Sequence, residues 1–306
     1  MKKTLVAIAA IAALGSASAQ IAVSGKLDVG VSGSGSNGAS VKSGVWETSR
    51  VVLQGNQDFT GGMKGGVYLE GGLSDGTNNA SNFSGFGRQA FVSLSGGFGK
   101  VDLGAFWTPI DTALWYSDAM EFNGFSTMYA GVDTGNNANG SSSGAIQYTS
   151  PTAGGLTLQV VTAPNGGDAS HANYGGAGVN YANGPLLINA AFQSYKTATN
   201  STSAGSVIAL NYDLGTVKLF GGLTNNDDGL GTKTASTNVG VKVPMGADYV
   251  AAGATSTKTS VAGNDSTASG YGVNYIKAMN KATVLYVGYK SANSVSTTGA
   301  GLRFNF

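Results

Sequence analysis

From Ile21 onward the chain is written in short segments in which apolar and polar residues alternate. Ile21 to Val31 sets Lys26 and Asp28 against Val23, Leu27, Val29 and Val31, and Ser49 to Asn56 sets Arg50, Val52 and Gln54 against Val51 and Leu53. The pattern is clearest late in the chain: Val239, Val241 and Val243 alternate with Asn238, Gly240 and Lys242, and Leu302, Phe304 and Phe306 with Gly301, Arg303 and Asn305. A period of two places these sets on opposite faces of extended strands. About sixteen such segments are expected, an even number that suits a closed antiparallel barrel.

Connections alternate in length as well. Short ones run through Gly61-Gly62, Gly154-Gly155, Gly184-Pro185, Gly215 and Gly246, and longer Gly/Asn/Ser/Thr stretches surround Asn165, Asn200, Asp227, Asn264 and Asn293. Tight turns at one end and longer loops at the other are the trace of a transmembrane barrel. The polar stretch from Ser32 to Glu47 reads as a flexible loop. Within it Gly33 to Gly38 fits G-x-G-x-x-G, but no helix follows, so a dinucleotide site is not expected. In strands near Arg88 to Ser95 both faces carry apolar groups, which suits a wall packed against another subunit as well as lipid.

One interruption is far longer than the others. Phe106 to Ser143 carries Trp107, Trp115, Asp111, Asp118 and Glu121. Loops of this length are functional or disordered, and disordered segments are poor in aromatics. The expectation is a third loop folded back into the barrel, where it narrows a water-filled pore; the plainer alternative is an oversized surface loop.

Composition narrows the class. Only 11% of the 306 residues are charged and 49 are glycine, against about 25% charged in an ordinary soluble domain. A soluble β-sandwich also alternates, yet it needs a dry inner face, and here that face holds Asn, Gln, Lys, Thr and Gly. Met1-Lys2-Lys3, an apolar run to Leu14 and Ala17-Ser18-Ala19 form a secretory signal, so residues 1–19 are expected to be removed and 20–306 to form a single barrel domain. With Lys2 and Lys3 gone, 15 bases face 16 acids, a net charge of −1. Nothing in that balance favours nucleic acid. The chain has no cysteine, so an exported protein here is stable without disulfides.

Candidate chemistry is sparse. The single histidine, His171, falls in a polar loop, and no cluster has metal-ligand spacing; Asp227-Asp228 reads as a solvated turn. Neither a catalytic site nor a cofactor is expected.

Several pieces resemble the general diffusion porins of Gram-negative outer membranes: Ser49-Arg50 with Phe59-Thr60-Gly61-Gly62-Met63-Lys64, then Arg88 to Gly96, Thr108-Pro109 opening the long loop, Tyr148-Thr149-Ser150-Pro151 after it, and terminal Phe306. The resemblance implies a sixteen-stranded homotrimer in the outer membrane, surrounded by lipid, that passes ions and small hydrophilic solutes. Met120-Glu121-Phe122-Asn123-Gly124 is similar to the family's P-E-F-G-G loop motif. By that likeness Glu121, with Asp111 or Asp118, carries the acidic side of the constriction, and Arg50 and Arg88 the basic side, with Lys26 also in the pore. Plain wall-stabilising salt bridges are the alternative for the arginines. The strands flanking the loop, at Gly104-Ala105-Phe106 and Ala145-Ile146-Gln147, lack the arginines common in relatives, so weak ion selectivity is expected. A sugar-type specific channel and a non-conducting structural or adhesive barrel are the competing readings. Tyr148, Tyr181, Tyr212, Tyr249 and Tyr289 are candidates for aromatic girdles.

Overall fold

The computed structural model describes residues 20–35, 37–73, 83, 85–127, 141–164 and 172–306; the expected signal and His171 lie outside the described residues. The first half contains β1 (Gln20–Ser34), β2 (Asn37–Ser43), β3 (Arg50–Asp58), β4 (Lys64–Gly72), β5 (Gln89–Gly96), β6 (Gly99–Trp107), the helix α1 (Pro109–Ser117) and β7 (Ser141–Thr149). The second half is built of strands: β8 (Leu156–Ala163), β9 (Ala172–Asn183), β10 (Leu186–Lys196), β11 (Thr202–Asp213), β12 (Lys218–Asp227), β13 (Thr232–Met245), β14 (Asp248–Val261), β15 (Asn264–Ala278), β16 (Thr283–Ala292) and β17 (Val295–Asn305).

From β3 onward each strand pairs antiparallel with its neighbours in sequence, and β1 pairs with β17 from Lys26↔Asn305 to Ser34↔Thr297, closing the sheet. On its other side β1 pairs first with β3 and then with β2. Since β2 and β3 lie end to end as one wall position, the 17 segments make a barrel of 16 strands. Closure satisfies the backbone: among the described residues every strand except β2, which pairs with β1 alone, has a neighbour on both sides, so the closed wall avoids an open edge in hydrocarbon, where an unpaired amide is costly. Backbone bonds between Gly25 and Phe306 complete the seam at 2.8 and 3.1 Å.

The alternation places side chains as expected. Val239, Val273, Ile208 and Phe192 are exposed on the outside, whereas Asn238 and Asn274 are buried on the inside. So broad an apolar exterior would be an aggregation liability in water and is the natural complement of acyl chains. Tyr148 and Tyr212 stand on this outer face. Tyr249 does not: it turns inward and packs on the cluster of Trp46, Phe125, Ile276 and Tyr286, because its register partners Pro244 and Ile276 set it one step out of phase with outward Val243 and Val250.

Three stretches expected to be loops belong to strands and their tight turns. Residues 37–43 form β2, hairpinned on β1, and Gly33 and Gly38 belong to that hairpin. The polar segments near Asn264 and Asn293 are the tips of long hairpins, with Ala262, Gly263, Asn293 and Ser294 all at positive φ, the geometry of tight two-residue turns. Both faces of such strand ends are polar, so the alternation that marks the membrane-spanning part is missing there.

Candidate pore constriction

The long interruption enters the barrel as α1, and two residue choices explain where the helix starts. Thr108 caps it: the Thr108 hydroxyl accepts from the Asp111 amide at 3.4 Å, and the Asp111 carboxylate accepts from the Thr108 amide at 3.2 Å. Pro109 follows at the first helical position, where its missing N–H costs nothing. The helix buries Ile110, Ala113 and Leu114 against Ala191 and Val207 of the inner wall. Asn238 donates to the Ser117 carbonyl at 2.6 Å where the helix ends.

Beyond Ser117 the loop crosses the barrel on small residues. A side-chain carbon at Gly240 would stand 2.7 Å from Ala119 Cβ, and one at Gly288 would fall inside the Phe125 ring. The Phe125 side chain is thus seated in a pocket that only a missing Cβ leaves open. At the far end the Gly124 amide donates to the Trp46 carbonyl at 2.8 Å, so the loop spans from one wall to the opposite one.

Trp46 belongs to residues 44–49, the stretch between β2 and β3, which dips into the barrel instead of continuing the wall. Asp28 holds it there. The Asp28 carboxylate accepts from the amides of Trp46 at 3.3 Å and Glu47 at 3.1 Å and from the Tyr286 hydroxyl at 2.7 Å. Glu47 is thereby presented among three cations. It pairs with Lys26 in a close contact, with Arg303 at 2.8 Å and with Arg50 at 4.0 Å. Burial pushes the Glu47 carboxyl up, but Lys26, Arg303 and Arg50 outweigh it and hold its pKa below the ordinary glutamate value. Arg303 also lies 4.1 Å above the Trp46 ring.

A second cluster sits alongside. Glu70 accepts from Arg88 at 2.6 Å and from Gln89 at 2.9 Å, and stands 3.5 Å from Arg50. Across the lumen side of the loop, Glu121 pairs with Lys242 at 2.7 Å, and Lys242 lies 4.1 Å over the Tyr249 ring.

Lys26, Arg50, Arg88 and Glu121 therefore lie in this band. Asp111 and Asp118 have other places. Asp111 is buried in the helix cap, and Asp118 is buried beneath the loop tip, accepting from the amides of Met120 and Phe122, each at 2.9 Å, and from the Ser126 hydroxyl at 2.6 Å. Burial raises the Asp118 pKa against those hydrogen bonds. Its work is to hold the turn in which Glu121 and Phe122 adopt φ of 55° and 54°, a left-handed conformation unusual for non-glycine residues. Nor does Glu121 meet an arginine: its partner is a lysine, while the arginines are compensated by Glu47 of the inward segment and Glu70 of the wall.

Those two glutamates are not among the residues that the sequence suggests for the constriction, although a signal for them exists. The chain has three arginines and three glutamates in all, and every one of the six stands in this band.

A charged band held by an inward loop inside a closed sixteen-stranded barrel is the architecture of an outer-membrane channel, and comparison with known proteins agrees. Residues 4–297 match the family model described as Gram-negative porin. The chain belongs to the Gram-negative porin family. It is 34% identical over 281 aligned positions to outer membrane porin protein 32 of Delftia acidovorans, covering 80% of this chain and 77% of that one. Among solved structures it is similar to an anion-selective porin from Comamonas acidovorans, with a TM-score of 0.80, 27% identity and coverage of 94% and 100%. OmpT of Vibrio cholerae in its trimer form has a TM-score of 0.77 at 14% identity, covering 94% and 100%, a likeness of fold. As a porin the chain resides in the outer membrane and forms a channel for passive diffusion.

Proposed function

We propose that the band of Lys26, Glu47, Arg50, Glu70, Arg88, Glu121, Lys242 and Arg303 is the filter of this porin, and that the pore prefers anions weakly. The observation that carries the reading is the charge count at the band: five cations against three carboxylates leave a surplus of two positive charges. Unpaired charge at the narrowest part of an aqueous pore biases which ion enters. Pairing keeps the bias small, and electrolyte screens it over about 10 Å at 0.1 M salt. The Comamonas relative is described as anion-selective, which supports the sign. Asp111 and Asp118 take part only indirectly, through the fold of the loop that carries Glu121.

The reversal potential under a salt gradient tests this. Native protein should show a small anion preference, Arg50→Ala should reduce or reverse it, and Glu121→Ala should enlarge it. A screened interaction of about 0.5 kcal/mol corresponds to roughly a twofold change in permeability ratio. Unchanged reversal potentials in both variants would reduce the arginines to wall-stabilising salt bridges.

The reading extends to assembly and maturation. Strands β4 to β7 are short, and Val67, Val92, Leu103 and Ile146 stand exposed on their outer face, a surface suited to contact with further copies of the chain in a homotrimer; the Vibrio cholerae relative was obtained in trimer form. Cleavage after Ala19 would leave Gln20, the first residue of β1, at the mature N-terminus.

A further inference from the structure

We propose that the short-turn side of the constriction carries a binding subsite for neutral, hydroxyl-rich ring compounds of the sugar type, with Trp115 as its stacking platform; the proposal rests on the diffusion-pore reading. The site is a cleft of about 380 Å³ beneath the C-terminal end of α1, lined on the loop by Trp115, Tyr116 and Glu121 and on the wall by Asn211, Phe220 and Tyr249, and closed below by the turn at Gly246. That volume lies in the range of small-molecule sites, roughly 300–1,000 Å³.

Trp115 is the anomaly that draws attention to it. Most of the apolar residues of α1 are buried against the barrel, yet its indole is 41% exposed. The ring is held from one side, edge to face on Phe122 at 6.1 Å between centroids, so one surface is left bare in a compartment that fills with water. A flat apolar surface fixed in that way is suited to the C–H face of a ring.

The charges around the cleft decide between ligand classes. Lys242 is paired with Glu121 at 2.7 Å, Lys218 with Asp213 at 2.9 Å and Asp248 with Lys277 at 3.6 Å. Asp118 is occupied by its own loop's amides. A ligand with net charge would compete with one of these pairs. Hydroxyl groups do not, since each both donates and accepts and can join a lysine–carboxylate pair without displacing either member. The cleft therefore selects a ligand whose polar edge is neutral and whose face is apolar.

Single-channel recording with maltotriose as the probe tests the inference. The native channel should show a saturable reduction of current by maltotriose, and sorbitol, which has hydroxyls but no ring face, should give no saturable effect at the same concentration. Trp115→Ala should raise the half-blocking concentration at least tenfold, and Trp115→Phe should fall between. Absence of saturable block in the native channel, or equal block in native and Trp115→Ala, would overturn the subsite. Current in plain salt reads the pore itself, so loss of the diffusion-pore reading is seen separately. A Trp115→Ala chain that failed to form a barrel would give no current in plain salt, and the comparison of maltotriose with sorbitol on the native channel would then decide.

Discussion

In the proposed filter Glu47 is the carboxylate that most limits the positive bias of the pore. Three cations face it, Lys26, Arg303 and Arg50, and its charge is what keeps them from acting together. Its pKa lies below the ordinary 4.5, so the pairing it contributes is fully present above that value and is lost as pH falls through the depressed one. Acidification should therefore raise anion preference only in that low range, and Glu47→Gln should show the raised preference already at neutral pH. Reversal potentials of both proteins between pH 7 and about pH 3, below the ordinary glutamate range, check this; a native preference that fell on acidification would contradict it. Legibility at this scale followed exposure to the pattern. Arg50 and Lys26 could be placed inward because they sit within alternating strands. Glu47 stood in a segment read as flexible loop, and only its tie to Asp28, a contact between residues on separate segments, shows that the segment is an inward shelf. Asp111 and Asp118 are buried for a different reason: membership of an inward loop does not by itself expose a side chain to the lumen. For Asp111 the spacing Thr108-x-x-Asp111 was itself a capping signature.

Residues 108–127 of the long loop are held by packing as well as by hydrogen bonds. Its placement depends on glycines in the opposing wall, and Phe125 is buried against Gly288 and Gly299. Overpacking such a contact costs about 1–3 kcal/mol, enough to detach a loop tip without unfolding a barrel. Gly288→Val and Phe125→Ala should both release the tip, seen as higher and noisier single-channel conductance with weaker ion preference. Conductance equal to the native in Phe125→Ala would show that the tip does not narrow the pore. At the scale of elements, the strands of the second half were readable because outer face and lumen differ in polarity. The helix was not: its nine residues give little periodicity, and Thr108-Pro109, which opens the loop, is also a helix start. Strand ends beyond the membrane, such as β2 and the start of β15, were read as loops because water meets both of their faces.

For the molecule as a whole, closure of the barrel does what disulfides do elsewhere, since β1 and β17 join the two ends of the chain through a continuous ladder. The sixteen-strand count and the inward loop followed from alternation, from the paired lengths of turns and from family likeness. What did not follow was the balance of the pore, because that depends on side chains brought together from β1, β3, β4, β13, β17, the start of β5 and two inward segments. The central claim is that one face of each strand meets lipid while the other encloses a conducting column of water. The absence of cysteine from the chain permits a direct test with single cysteines at Val241, Lys242 and Val273. A charged, membrane-impermeant thiol reagent should step the single-channel current of Lys242→Cys and leave Val241→Cys and Val273→Cys unchanged, whereas a lipid-soluble reagent should label the two valine positions. Current steps at Val241→Cys and Val273→Cys, with Lys242→Cys silent and labelled from lipid, would contradict it.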